Sequence, residues 1–220
     1  MKLIAKRTAY AAVLMLTAAP AFAHHPLGGM PMQTFVHGLL SGVGHPVLGF
    51  DHLFFVALVG IAAVFTGRAA LASGAYIAAM LVGCLMMTFG LGLPMKELVI
   101  GLSLLVLGGI ALSGRGLSLT SAAVVFAGFG IFHGSAFGDA IVGQEAAMGS
   151  QVLFGYLLGL GAIQFLIAMA AGLIARTVWK ATSAAAIQPR LAGAVVAGVG
   201  AFLTLENAEG LVFAALGWAA

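Results

Sequence analysis

Charge is what this sequence has least of. Only 7% of its 220 residues are Asp, Glu, Lys or Arg, while 62% are hydrophobic. A soluble domain carries about 25% charge. The chain therefore cannot cover a globule with polar surface, and it is equally unlike a disordered tail. Cysteine is nearly missing as well: Cys84 stands alone, which excludes an intrachain disulfide. No Gly-x4-Gly-Lys-Ser/Thr loop is present to cradle a nucleotide, and no His-Glu-x-x-His run is present to build a zinc protease. Nothing specific supports a haem protein. These absences leave an all-α membrane protein that is not an enzyme and holds no prosthetic group.

What is present begins with a leader. Lys2, Lys6 and Arg7 precede the apolar stretch Ala9 to Ala19, and Ala21-Phe22-Ala23 offers small residues at a cleavage site. Residues 1–23 are thus expected to be a signal peptide removed after Ala23. Residues 24–44 then form a periplasmic N-terminal segment, and residues 45–220 the membrane domain. Without the leader, six basic residues face six acidic ones. No basic excess remains to attract nucleic acid.

Apolar runs cover 47–66, 70–92, 97–113, 118–139, 151–175 and 192–218. A bilayer core is crossed by about 20 apolar residues in helix, so the expectation is a six-helix transmembrane bundle. A leader puts the mature N-terminus outside, and six crossings return the C-terminus there. The connections on the inner side then hold Arg68, Arg115, Arg176, Lys180 and Arg190. Those on the outer side hold Lys96, Glu97, Asp139 and Glu145. This sorting follows the positive-inside rule and agrees with the leader. It predicts a multi-pass protein of a bacterial inner membrane with both termini outside. Small residues such as Gly155-x3-Gly159 and Ala194-x3-Gly198 are read as faces for close helix packing.

Polar residues inside spans are costly and mark candidate sites. The first span opens with His45-Pro46-Val47-Leu48-Gly49-Phe50-Asp51-His52, and the fourth carries Phe132-His133-Gly134-Ser135 and later Asp139. Glu206 and Glu209 interrupt the sixth, and Gln164 lies in the fifth. At 1.5 Å per residue, Asp51, His52, His133 and Glu206 all fall in the outer half of the membrane. His45 and His52 share a helix face but stand about 10 Å apart along a straight axis; Pro46 and Gly49 could break the helix and shorten that gap. Two imidazoles and a carboxylate suit a borderline cation such as Ni²⁺, Co²⁺ or Zn²⁺. Each residue also has a plain structural alternative: His45 as a helix-end cap, Asp51 as an acceptor of first-turn amides, His133 as a cross-helix hydrogen bonder. The candidate ligands are His45, Asp51, His52 and His133. Asp139, Glu206, His24, His25 and His37 are candidate auxiliary groups along the metal's path.

The His45-x5-Asp51-His52 pattern resembles the first signature of the HupE/UreJ family of bacterial membrane proteins. Phe132-His133-Gly134-x-Ala136 resembles the start of its second. That signature then usually continues His-Gly-x-Glu; here Phe137 replaces the His, Gly138 is kept, and Ala140 replaces the Glu, with Asp139 one position earlier. The resemblance implies a small permease associated with nickel supply to hydrogenase or urease, taking up Ni²⁺, or Co²⁺ next, as the transported ion. It admits as partners the metal ion, the lipid bilayer, a second copy of the chain and metalloenzyme maturation proteins. A membrane accessory protein that binds metal without moving it is the alternative reading.

Overall fold

A computed structural model describes residues 31–142 and 149–218. Among these residues all regular structure is helical. The elements are α1 (Phe35–Leu48), α2 (Phe50–Ala63) with a 3₁₀ turn at Val64–Thr66, α3 (Ala69–Thr88), α4 (Lys96–Leu112), α5 (Leu119–Val142), α6 (Ser150–Thr177) and α7 (Ile187–Ala215). Four helices (α3, α5, α6 and α7) are long and apolar enough to cross a membrane. A fifth crossing is made if α1 and α2 count as one broken span. With 17 residues, α4 is about 26 Å long.

The first apolar run departs from a simple span. Helix begins at Phe35, capped by Thr34, whose Oγ1 accepts from the His37 amide at 3.1 Å. It therefore takes in residues 35–44, which the sequence alone assigns to a segment outside the bundle. Pro46 brings no amide proton to the last turn of α1. Gly49 then turns extended, with φ −83° and ψ 99°, and α2 leaves at 83° to α1. Both halves nevertheless follow α6 in one direction. Gly38 and Gly42 lie on the backbone at Val152 and Tyr156, and Gly60 lies further along at Ala168. Together, α1 and α2 accompany α6 from one end towards the other.

Glycine sets the other close pairs. A Cβ at Gly134 of α5 would collide with the Met80 carbonyl of α3, and one at Gly83 with the Ile131 carbonyl. On α7, a Cβ at Gly200 would strike the Leu105 amide of α4. Backbones that approach this closely gain dispersion contact along their length, which is what holds helices together in lipid. Large apolar side chains such as Phe50, Phe154, Leu166, Val195 and Phe202 point outward, each more than half exposed. That is the surface a bilayer would solvate.

The ends of the bundle differ in charge. At one end the turns containing Gly67, Gly114 and Gly116 meet Arg176 and the 182–185 stretch around a cavity of about 400 Å³. The Arg176 guanidinium lies 5.9 Å over the Phe65 ring, and Arg190 donates to the Leu112 carbonyl at 2.9 Å. Arg68 and Arg115 belong to the same turns. At the other end Lys96 is ion-paired with Asp139. A cavity of about 450 Å³ there is lined by Lys96, Glu97, Glu206 and Asn207.

Candidate metal site

The break between α1 and α2 shapes the candidate site. Seven residues of straight helix would separate His45 and His52 by about 10 Å along the axis. The bend at Gly49 instead brings the two rings to 6.4 Å between centroids, nearly perpendicular. Asp51 sits in the first turn of α2, where the helix's positive end favours a carboxylate. Its Oδ2 lies 3.8 Å from His52 Nε2. His45, Gly49, Asp51 and His52 line one side of an open cavity of about 440 Å³, with Val199, Phe202 and Leu203 of α7 along the other. The negative end of α1 and the positive end of α2 meet at this cavity. In discontinuous membrane helices, carbonyls freed at a C-terminal end can face a cation, while an N-terminal end favours an anionic group.

His133 stands behind that cavity. It is fully buried, and its Nδ1 lies 2.7 Å from His52 Nδ1. Its Nε2 lies 2.9 Å from Ser103 Oγ of α4, and Ser103 in turn donates to the Ile100 carbonyl at 2.6 Å. Phe55 stacks on the imidazole at 4.3 Å. His45 has a comparable support. Its Nδ1 lies 3.1 Å from the Tyr156 hydroxyl of α6, which donates to the Phe137 carbonyl at 3.0 Å. Sequence reading singled out neither Ser103 nor Tyr156. A buried tyrosine tip in an apolar helix does demand a partner, and that was the available signal.

Phe137 packs against the rings of His45 and His52. It is fully buried, 5.2 Å from the His45 ring and 4.1 Å from the His52 ring. An apolar ring thus lies against both imidazoles. Among the described residues, no three His, Cys, Asp or Glu side chains are gathered closely enough to hold an ion. His45, Asp51 and His52 surround a space without closing on it.

The remaining candidates lie elsewhere. Asp139 is exposed and engaged by Lys96. Glu206 is exposed and faces a separate cavity with Glu97. His37 is in the first turn of α1, where its Nδ1 accepts from the Gln33 amide at 3.3 Å. His24, His25, Glu145 and the leader lie outside the described residues. Deeper in the bundle, Tyr76 donates to Gln164 Oε1 at 2.6 Å, and the Gln164 amide reaches Met80 Sδ at 3.6 Å.

Residues 12–203 match the family described as HupE / UreJ protein. A protein of Rhizobium leguminosarum bv. viciae named Protein HupE is 30% identical over 193 residues, covering 86% of this chain and 94% of that protein. No solved structure matches the chain.

Proposed function

This chain belongs to the HupE/UreJ family, and on that premise we propose that it is a secondary permease for a divalent transition-metal ion. The ion is nickel first and cobalt next, taken up through the His45/Asp51/His52 site in the outer half of an inner membrane. The observation that carries the reading is the broken first span, which turns two imidazoles and a carboxylate toward one cavity between helix ends. The charge of the bundle's two ends supports the direction. Arg68, Arg115, Arg176, Lys180 and Arg190 mark the cytoplasmic end, with Lys96, Asp139 and Glu206 at the periplasmic one. Six crossings follow, with the α1–α2 pair as the first and α4 as a short third, and both termini outside.

In this mechanism the ion sheds part of its water on entering the cavity. His45 and His52 supply imidazole nitrogen, and Asp51 supplies charge that offsets the cost of dehydration. The ligand set does not close tightly, and a transported ion must leave as readily as it enters. An accessory protein that stores metal without moving it would need a tighter cage than His45, Asp51 and His52 form. Nickel uptake by cells carrying Asp51→Asn or His52→Ala, with the protein still in the membrane, is expected to fall to background. Wild-type uptake in both variants would overturn the assignment.

A further inference from the structure

The hydrogen bonds behind the site carry a proton count. Three contacts run in series: Ile100 carbonyl to Ser103 Oγ at 2.6 Å, Ser103 Oγ to His133 Nε2 at 2.9 Å, and His133 Nδ1 to His52 Nδ1 at 2.7 Å. Each needs one proton between its atoms. The serine hydroxyl holds one, and each neutral imidazole holds one. A carbonyl holds none, so the serine proton must go to Ile100. Ser103 Oγ can then only accept, which places the His133 proton on Nε2. His133 Nδ1 is left as an acceptor, which places the His52 proton on Nδ1. With both rings neutral, no other assignment puts a proton in all three contacts.

The second series gives the same answer for His45. The Phe137 carbonyl takes the Tyr156 hydroxyl proton at 3.0 Å, so the tyrosine oxygen must accept from His45 Nδ1 at 3.1 Å. We infer that Ser103 and Tyr156 are positioning residues that fix His52 and His45 as Nδ1–H tautomers. Both then carry their lone pair on Nε2, the nitrogen that on His52 stands 3.8 Å from Asp51 Oδ2. Donation from Nδ1 also makes each Nε2 a stronger base, the usual work of groups behind a metal-bound histidine. His133, with one nitrogen given to each neighbour, passes this constraint from Ser103 to His52 instead of meeting the ion itself. Two relays from different helices thus prepare a matched pair of ligands before any ion arrives.

The inference rests on the permease reading for its purpose, but its test is separate. The full chain, labelled with ¹⁵N-histidine and held metal-free in detergent, reports which ring nitrogen carries each proton. The expected spectrum has His45 and His52 protonated on Nδ1 and His133 on Nε2, with each signal assigned by single substitution. In Ser103→Ala the His52 and His133 signals should shift towards mixed tautomers while helix content is unchanged. Tyr156→Phe should do the same to His45 alone. Nickel affinity of the purified protein should drop on the order of 10–100-fold in each variant. A wild-type His52 protonated on Nε2 would overturn the relay, as would a Ser103→Ala variant with wild-type spectrum and affinity. A His52→Ala variant that binds nickel like the wild type would instead overturn the permease reading, while the metal-free spectrum still decides the tautomers.

Discussion

At the scale of single residues, Phe137 decides how the site differs from the pattern its family resemblance predicts. It lies against both candidate ligand rings, so a nitrogen placed there would join them directly. Phe137→His is expected to tighten nickel binding by about tenfold, equivalent to ~1.4 kcal/mol. Titration of the purified protein with nickel checks this, and unchanged affinity would show that position 137 does not face the ion. His45, Asp51 and His52 were legible in the sequence because their spacing is local and their chemistry is rare in an apolar helix. Ser103 and Tyr156 were not. Their roles depend on partners 30 and 111 positions away, and no local pattern distinguishes a relay serine from a packing serine. Asp139 and Glu206 shared the outer layer with the histidines by depth alone. Depth along a helix does not give the direction a side chain takes, and both turn to the Lys96 end of the bundle.

At the scale of elements, the helical runs were readable because about 20 consecutive apolar residues leave little alternative to a helix in lipid. The start of α1 at Phe35 was not, since Gly38, Ser41, Gly42 and Gly44 dilute its hydrophobicity. Those small residues are what let α1 lie on α6: a Cβ at Gly38 or Gly42 would strike the carbonyl of Val152 or Tyr156. The break at Gly49 was visible only as a Pro and a Gly close together; its angle follows from tertiary packing. A Cβ at Gly49 would stand 3.0 Å from His52 Cδ2 and 3.3 Å from Asp51 Oδ1. Gly49→Ala should therefore displace these ligands and reduce nickel uptake severalfold while circular dichroism still reports full helix; unchanged uptake would show that the bend tolerates a side chain. Gly134→Val acts on structure instead. It forces α5 away from the Met80 carbonyl and should destabilise the bundle by about 1–3 kcal/mol or more, the cost of overpacking. Thermal unfolding in detergent measures it, and a wild-type midpoint would contradict the close α3–α5 contact.

At the scale of the whole molecule, scarcity of charge becomes an arrangement. Basic residues gather around the turns after α2, α4 and α6, while the Lys96–Asp139 pair and Glu206 mark the opposite end. Orientation is testable in intact cells. In a Cys84→Ala background, Glu209→Cys should react with an impermeant thiol reagent added outside, whereas Arg115→Cys should react only after lysis. The reverse pattern would invert the topology and put the histidine cavity on the cytoplasmic side. Transport itself is the central claim, and nickel flux into liposomes containing the purified full chain tests it most directly. Wild-type protein should admit Ni²⁺ down its gradient, with Asp51→Asn and His52→Ala at the rate of empty liposomes. Equal rates for wild-type protein and empty liposomes would contradict the account.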